Sequence, residues 1–348
     1  MKYLIITVFV IVIFGVSYFV GSRIVSSLMD KDTTETSVNI PEKKSITTTI
    51  VCGGDVMLSR TVGAKIVAAG DNVLPFKNIA EEFSAVDISF VNLEAPFYDQ
   101  GPSVTEGIVF KSEPETIAGL KFAGIDIVSL ANNHFGNQGQ AGMKYTYNYL
   151  DENNIAYTGA GNNYTEAHTV KVLEKNGIKF GFLAYNGIAP RSYEATADSA
   201  GLAWSHPDEI AADVEKSRPN VDVLLVSIHA GTEYTHTPNE NQIVVARRAI
   251  DAGADIIVGH HPHVVQTIEK YKEGLIIYSL GNLVFDQMWS QATREGAYVT
   301  LNFENKKLKD LKITPVVIEN YNQPRKANNE EANKILADMQ LDSAELEI

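Results

Sequence analysis

Residues 252–269 read AGADIIVGHHPHVVQTIE. The run Ile256 to Val258 is short, apolar and β-branched, bounded by Asp255 and Gly259, so it reads as a buried strand rather than a helix. It runs straight into Gly259, His260, His261, Pro262 and His263. Packing rarely needs three imidazoles within four residues, and the proline stiffens the turn between two of them. The alternative is a histidine cluster on the surface, which the apolar strand feeding it argues against. The stretch thus predicts a strand whose end delivers chemistry.

The same pattern recurs along the chain. Further short strands are expected at Thr48 to Cys52, Ile88 to Val91, Ile125 to Leu130, Phe180 to Ala184, Val223 to Ile228 and Ile276 to Ser279. Helical stretches are expected between several of them, for example Gly139 to Asp151 and Asn239 to Ala252. This alternation predicts an α/β domain with a largely buried sheet. Two more alternating runs, Ala297 to Phe303 and Leu308 to Val317, predict a closing hairpin.

Open α/β sheets place ligands at the carboxyl ends of their strands. Here those ends carry Asp55, then Asn92 and Glu94, then Asn132, Asn133 and His134, then His229, then the histidine run, and finally Asn282 with Asp286 nearby. Each has a bland reading by itself: Asp55 as a turn cap, Asn92 as a loop partner, His229 as a hydrogen-bonded core histidine. Together, hard oxygens and imidazoles without thiolates describe a site for Mn, Fe, Zn or Mg, one ion or two, and not a structural zinc. An asparagine carbonyl such as that of Asn133 can ligate a metal while an adjacent histidine, His134, carries a proton.

Composition sets the outer limits. The 348 residues are 45% hydrophobic, enough for a full core. A formal net charge of −14 argues against binding nucleic acid through general positive charge. The single cysteine, Cys52, excludes an internal disulfide and any cysteine cluster, and its apolar neighbours make it a core thiol.

Tyr3 to Val20 is nearly unbroken Ile, Val, Phe and Leu, about the ~20 residues a helix needs to span a bilayer. A transmembrane signal anchor is expected over residues 1–24, with residues 3–21 in the bilayer; a cleaved signal peptide is the rival reading. Residues 25–45 are too polar to fold and read as a tether. The folded domain is expected over 46–320, followed by a C-terminal tail, 321–348, read as a surface helix or frayed end.

The ordered motifs GGDVML, FVNLEAP, VFKSEP, AGIDIVSLANNH, HAGTEY, AGADIIVGHHPHVVQTIE and YSLGNLVFD resemble those of the bacterial capsule synthesis family that includes poly-γ-glutamate capsule proteins. The resemblance runs from about Ile50 to Asp286. That family is similar to the calcineurin-like metallophosphoesterases. The resemblance implies a four-layer α/β/β/α sandwich of the metallo-dependent phosphatase type, preceded here by one transmembrane helix. It implies metal ligation by Asp55, Glu94, Asn133 and His229, and by two of His260, His261 and His263, with His134 as proton donor. Asn92 and Asn282 remain further candidates. It also implies an extracytoplasmic domain, an anionic polymer such as poly-γ-glutamate as ligand, and membrane-bound synthase components as partners. Whether the site hydrolyses or only binds is left open. Two departures from the phosphoesterase pattern stand out: Met57 occupies the position where a histidine is usual, and Glu94 replaces a bridging aspartate.

Overall fold

The computed structural model describes residues 45–347, apart from 102, 105 and 189. The expected membrane span, and the tether up to residue 44, lie outside the described residues. Among the described residues no helix is long and apolar enough to cross a membrane.

Two sheets carry the fold. The nine-stranded sheet has the order Gln323–Lys326, Lys307–Glu319, Glu295–Glu304, Thr47–Val56, Ile88–Leu93, Ile127–Ser129, Ala156–Thr158, with Asn282–Val284 paired to the end of Thr47–Val56 and Glu345–Glu347 paired to Lys307–Glu319. The six-stranded sheet runs Ile268–Tyr271, Gly274–Ile277, Ile256–His260, Val223–His229, Ile178–Asn186, Lys171–Lys175. Its four central strands are mutually parallel, as strand and helix alternation requires.

Side chains alternate between the two faces of each strand, which fixes the layering. In Thr47–Val56, Ile50 and Cys52 point into a core shared with Phe180, Phe182, Val223 and Leu225 of the other sheet. Val51 and Val56 point the opposite way, toward Val62 and Ile66 of helix Arg60–Ala69 and Met143, Tyr147 and Leu150 of helix Gly139–Glu152. On the far face of the second sheet, Leu224, Val226 and Ile228 pack with Ile210 and Val214 of helix Pro207–Ser217 and with Val245 and Ala249 of Glu240–Asp251. Helices therefore flank two sheets packed face to face. Phe90 and Phe182 stack across the inter-sheet core at 6.0 Å between ring centroids, and truncating either ring to alanine would cost about 3–5 kcal/mol. Burial of Cys52 in the same layer pushes its thiol far above the usual range, which leaves no reactive thiolate.

The C-terminal expectation needs correction. Residues 321–347 belong to the same compact unit as the rest of the domain, not to a tail. Helix Asn329–Asp338 is fastened by a capping box between Asn328 and Glu331, and it buries Ile335 and Leu336, with Met339 just beyond, in the inter-sheet core. Three apolar side chains at helical spacing thus carry an acidic segment onto the core. Most of the other expected strands are found and run a few residues longer, for example Thr47–Val56 around the expected Thr48 to Cys52, whereas the expected Ile125 to Leu130 is shorter, Ile127–Ser129, and the expected Ile276 to Ser279 lies earlier, at Gly274–Ile277.

Candidate metal centre

Register brings the polar strand ends together. In the first sheet Asp55 stands opposite Asn92 on one side and Asn282 on the other. In the second, His229 stands opposite His260 and Asn186. The backbones can approach this closely only because of glycines within the strands: a Cβ on Gly54 would sit 2.0 Å from the Gly281 carbonyl oxygen, and one on Gly259 would sit 2.0 Å from that of Tyr278.

Asp55 lies at the centre, fully buried. Its Oδ1 accepts from Asn92 Nδ2 at 2.8 Å and its Oδ2 from the His261 backbone N–H at 3.3 Å. His260 Nδ1 lies 3.2 Å from Oδ1, near enough for charge attraction but not aligned as a hydrogen bond; His263 Nδ1 lies 3.4 Å from Oδ2. Burial by itself would raise the Asp55 carboxyl. The imidazoles of His260 and His263 outweigh it and hold the group well below the usual carboxylate range. Glu94 is driven the other way: burial, then the charges of Asp55 and Glu233, push its carboxyl well above the ordinary value.

His229 takes its place between two amides. Asn132 accepts two backbone N–H groups at its Oδ1, from His134 and Phe135, so its Nδ2 must donate to Asn92 Oδ1 at 3.1 Å. Asn92 therefore turns its own Nδ2 toward Asp55, and toward His229 Nδ1 at 3.3 Å. His229 Nδ1 then accepts, and Nε2 donates to Asn133 Oδ1 at 2.9 Å. Burial, followed by the neighbouring His261, keeps this imidazole neutral by moving its pKa well below the ordinary histidine value. A neutral imidazole is the form that ligates metal.

Two donor sets result. Ligand atoms of Asp55, Glu94 and His229 lie within 4.8 Å of one another, and so do those of Glu233, His261 and His263. His263 Nε2 comes within 3.8 Å of Glu94 Oε1, which links the sets. His261 and His263 are both buried and both adopt positive φ, +98° and +58°, a strained geometry held by the His261 N–H to Asp55 and by the Tyr234 N–H to the Pro262 carbonyl at 2.8 Å. Burial and the nearby His263 charge press the His261 imidazole down to about 3.

The donor set fits a divalent ion. Among the described residues Glu94 Oε1 and His261 Nδ1 are buried with no hydrogen-bond partner, and two carboxylates shifted in opposite directions share one buried pocket. An unpaired buried acceptor is costly unless a cation or donor answers it.

Several candidates take supporting positions instead. Asn282 Oδ1 faces His263 Nδ1 at 2.9 Å, while its amide donates to Gln287 Oε1 and the Thr293 carbonyl, so it orients His263. Asn92 presents a donor, not a carbonyl, to the centre. Both ring nitrogens of His260 lack hydrogen-bond geometry, and its ring tilts against Phe90 at 6.0 Å. Met57 is buried in the helix-facing core with its Sδ accepting the Ser59 N–H at 3.1 Å, so nothing at that position reaches the centre. Glu233 was not anticipated as a donor. Its carboxylate sits four residues past His229 in HAGTEY, a spacing that was visible but unread. His134 lies 4.0 Å from Glu94 Oε1, stacked on Phe110 at 3.7 Å.

Residues 49–287, which carry every candidate metal ligand, match the model of the bacterial capsule synthesis protein family PGA_cap. The chain belongs to this family. Over 286 residues, 80% of this chain and 69% of the relative, it is 32% identical to the capsule biosynthesis protein CapA of Bacillus anthracis. Over 268 residues, 76% of this chain and 70% of the relative, it is 31% identical to the PGA biosynthesis protein CapA of Bacillus subtilis strain 168. The fold of this capsule family member is similar to the crystal structure of a 5'-nucleotidase precursor from Thermus thermophilus, with a TM-score of 0.50 at 14% identity, covering 84% of this chain and 58% of that one.

Proposed function

We propose that this capsule family member acts in poly-γ-glutamate capsule synthesis through a metal-dependent hydrolytic site, on a domain held at the outer face of the membrane by residues 3–21. The observation that carries the chemistry is the buried cluster of Asp55, Glu94 and His229, in which Glu94 Oε1 has no partner among the described residues. The relatives named for capsule and PGA biosynthesis support the biology. Membrane-bound synthase components are the partners such a role requires.

Asp55, Glu94, Asn133 and His229 would hold one divalent ion, the ligating His229 nitrogen giving up its hydrogen bond to Asn92 or Asn133, and Glu233, His261 and His263 would hold a second. Mn, Fe, Zn or Mg in this oxygen and imidazole setting supplies Lewis acidity toward a carbonyl or phosphoryl oxygen and acidifies water. The protein's own contribution is to exclude bulk water, to keep His229 and His261 neutral, and to aim His134. That imidazole is pressed down to about 4, chiefly by burial, so at neutral pH its Nε2 carries a lone pair toward Glu94. His134 is thus a proton acceptor first, and a donor to the leaving group only after it has taken that proton.

The likeness to a 5'-nucleotidase precursor is one of fold, so a phosphoester substrate is the competing reading. Full chain purified in detergent, loaded with each metal in turn, should shorten γ-linked polyglutamate and leave p-nitrophenyl phosphate largely intact. Turnover of the phosphate ester alone would replace the capsule reading with a phosphoesterase acting on another surface substrate.

A further inference from the structure

A cleft of about 730 Å³ opens beside the centre, lined by Ser59, Arg60, Val104, Ile108, Lys111 and Trp289 among others. Aromatic contacts tie both of its walls to the site. On one side the Arg60 guanidinium lies 5.3 Å from the Phe110 ring centroid, and that ring stacks on His134 at 3.7 Å. On the other, Trp289 meets Tyr234 edge-on at 6.0 Å, and the Tyr234 ring lies 6.3 Å from that of His263 at an interplanar angle of 29°. One aromatic ring thus separates each wall of the cleft from the site: Phe110 lies between Arg60 and His134, and Tyr234 between Trp289 and His263.

Its lining combines cations with exposed apolar surface. Arg60 adopts φ +51°, an uncommon conformation for arginine, at the start of helix Arg60–Ala69. Its Nη2 lies 3.0 Å from Asp286 Oδ1, while Asp286 Oδ2 accepts the Thr61 N–H, so the head is aimed by a carboxylate that is itself buried. The guanidinium has five N–H donors, and the Arg60 side chain remains 34% exposed against 1% for Asp286. Lys111 adjoins it, since the Lys111 backbone N–H donates to Ser59 Oγ at 2.9 Å. Its ammonium pairs with Glu113 at 2.7 Å, a partly exposed pair that another carboxylate can exchange with at little cost. Ile108, Trp289 and Val104 are 76%, 60% and 47% exposed, three large apolar side chains in one cleft. A chain of net charge −14 repels polyanions at long range, so capture of one needs local cations of this kind.

We propose that Arg60 and Lys111 bind carboxylates of a flexible polycarboxylate chain, whose methylene segments lie on Ile108 and Trp289, and that this subsite feeds the chain to the centre. The proposal rests on reading that centre as hydrolytic. Arg60 is a binding residue for substrate here, not a ligand of the metal.

The test uses metal-loaded full chain titrated with a γ-linked glutamate decamer, followed by calorimetry, with bound metal measured in the same samples. Arg60→Gln should weaken binding by about ten- to a hundredfold and Lys111→Gln by a smaller factor, both with unchanged metal content, because each removes a charge-assisted hydrogen bond. Both should also flatten the dependence of affinity on salt. Arg60→Lys should recover part of the loss. If Arg60→Gln fails to fold, Lys111→Gln and Trp289→Ala carry the same test. Parent affinity in both glutamine variants would overturn the subsite, and so would inorganic phosphate competing as strongly as the decamer, the mark of a single-anion pocket. A parent that binds the decamer through Arg60 but never cleaves it would support the subsite and sink the hydrolytic reading instead.

Discussion

The His134 imidazole and the Asn137 side chain form a fixed pair, with His134 Nδ1 3.0 Å from Asn137 Oδ1. That oxygen also accepts the Phe110 backbone N–H at 2.7 Å, so it is an acceptor and the imidazole must donate from Nδ1. The tautomer is thereby set, with Nε2 free to face Glu94. Asn137 is a positioning residue that acts on the chemistry through His134.

Asn137→Asp keeps the acceptor and adds a negative charge, so the His134 pKa should rise from about 4 toward the ordinary histidine value. Asn137→Ala should leave metal content intact and lower turnover by about tenfold or more, with little change in KM. Histidine ring NMR across pH reads the first effect directly. The lowered value also has a sign for stability. The unfolded chain takes up the His134 proton below about 6.5 and the folded chain only near 4, so this residue costs stability as pH falls through that window. An unshifted resonance in Asn137→Asp would mean that the amide does not govern the imidazole.

Glu233 and His261 should behave as one ligand set. Glu233→Gln and His261→Ala should each lower metal occupancy, by about ten- to a hundredfold in affinity or more, while far-ultraviolet circular dichroism stays unchanged. If Glu233→Gln retains all its metal while His261→Ala loses it, the exposed carboxylate is no ligand and the second set falls to His261 and His263 alone.

Residues 3–21 should hold the chain in the membrane with everything after Asp30 outside. Protease added to intact protoplasts of a Gram-positive host should then remove the folded domain. Complete protection would place the domain inside and refute the extracytoplasmic role.

Arg325 lies on Glu331, and with the Asn328 backbone N–H it holds that carboxyl down to about 2. Stability from this depressed group is present above the ordinary carboxylate value near ~4.3 and is lost as pH falls through about 2. Glu331→Gln should therefore lower the melting temperature at pH 7, by the equivalent of at most about 1 kcal/mol for so exposed a pair, and leave it unchanged at pH 2. An equal loss at both pH values would assign the effect to the capping box and not to charge.

The sheets were legible because their strands are short apolar, β-branched runs that end in polar residues, as Ile256 to Val258 before Gly259 and His260 shows. The donor residues were legible because they fall at strand ends, where register places Asp55 beside Asn92 and Asn282. Hydrogen-bond direction was not. Sequence cannot say that Asn132 locks Asn92 with its nitrogen inward, nor that Asn282 serves His263. Glu233 and Arg60 stayed hidden for a different reason. Charged residues in loops and at helix starts are ordinarily solvated, and only the meeting of HAGTEY with the histidine loop, or of Arg60 with Asp286, gives them a partner. The C-terminal helix was legible as a helix but its place in the domain was not, because an acidic segment with few apolar residues gives no sign that Ile335, Leu336 and Met339 meet the inter-sheet core.

The central claim is that the Asp55, Glu94 and His229 cluster holds a divalent metal, and equilibrium dialysis of the full chain against Mn²⁺ or Zn²⁺, with elemental analysis of the retained protein, measures it without reference to any substrate. The expected result is one to two ions per chain in the parent and loss of at least one in Asp55→Ala and in Glu94→Ala, both still folded. No bound metal in the parent, or equal metal in the parent and both variants, would contradict it.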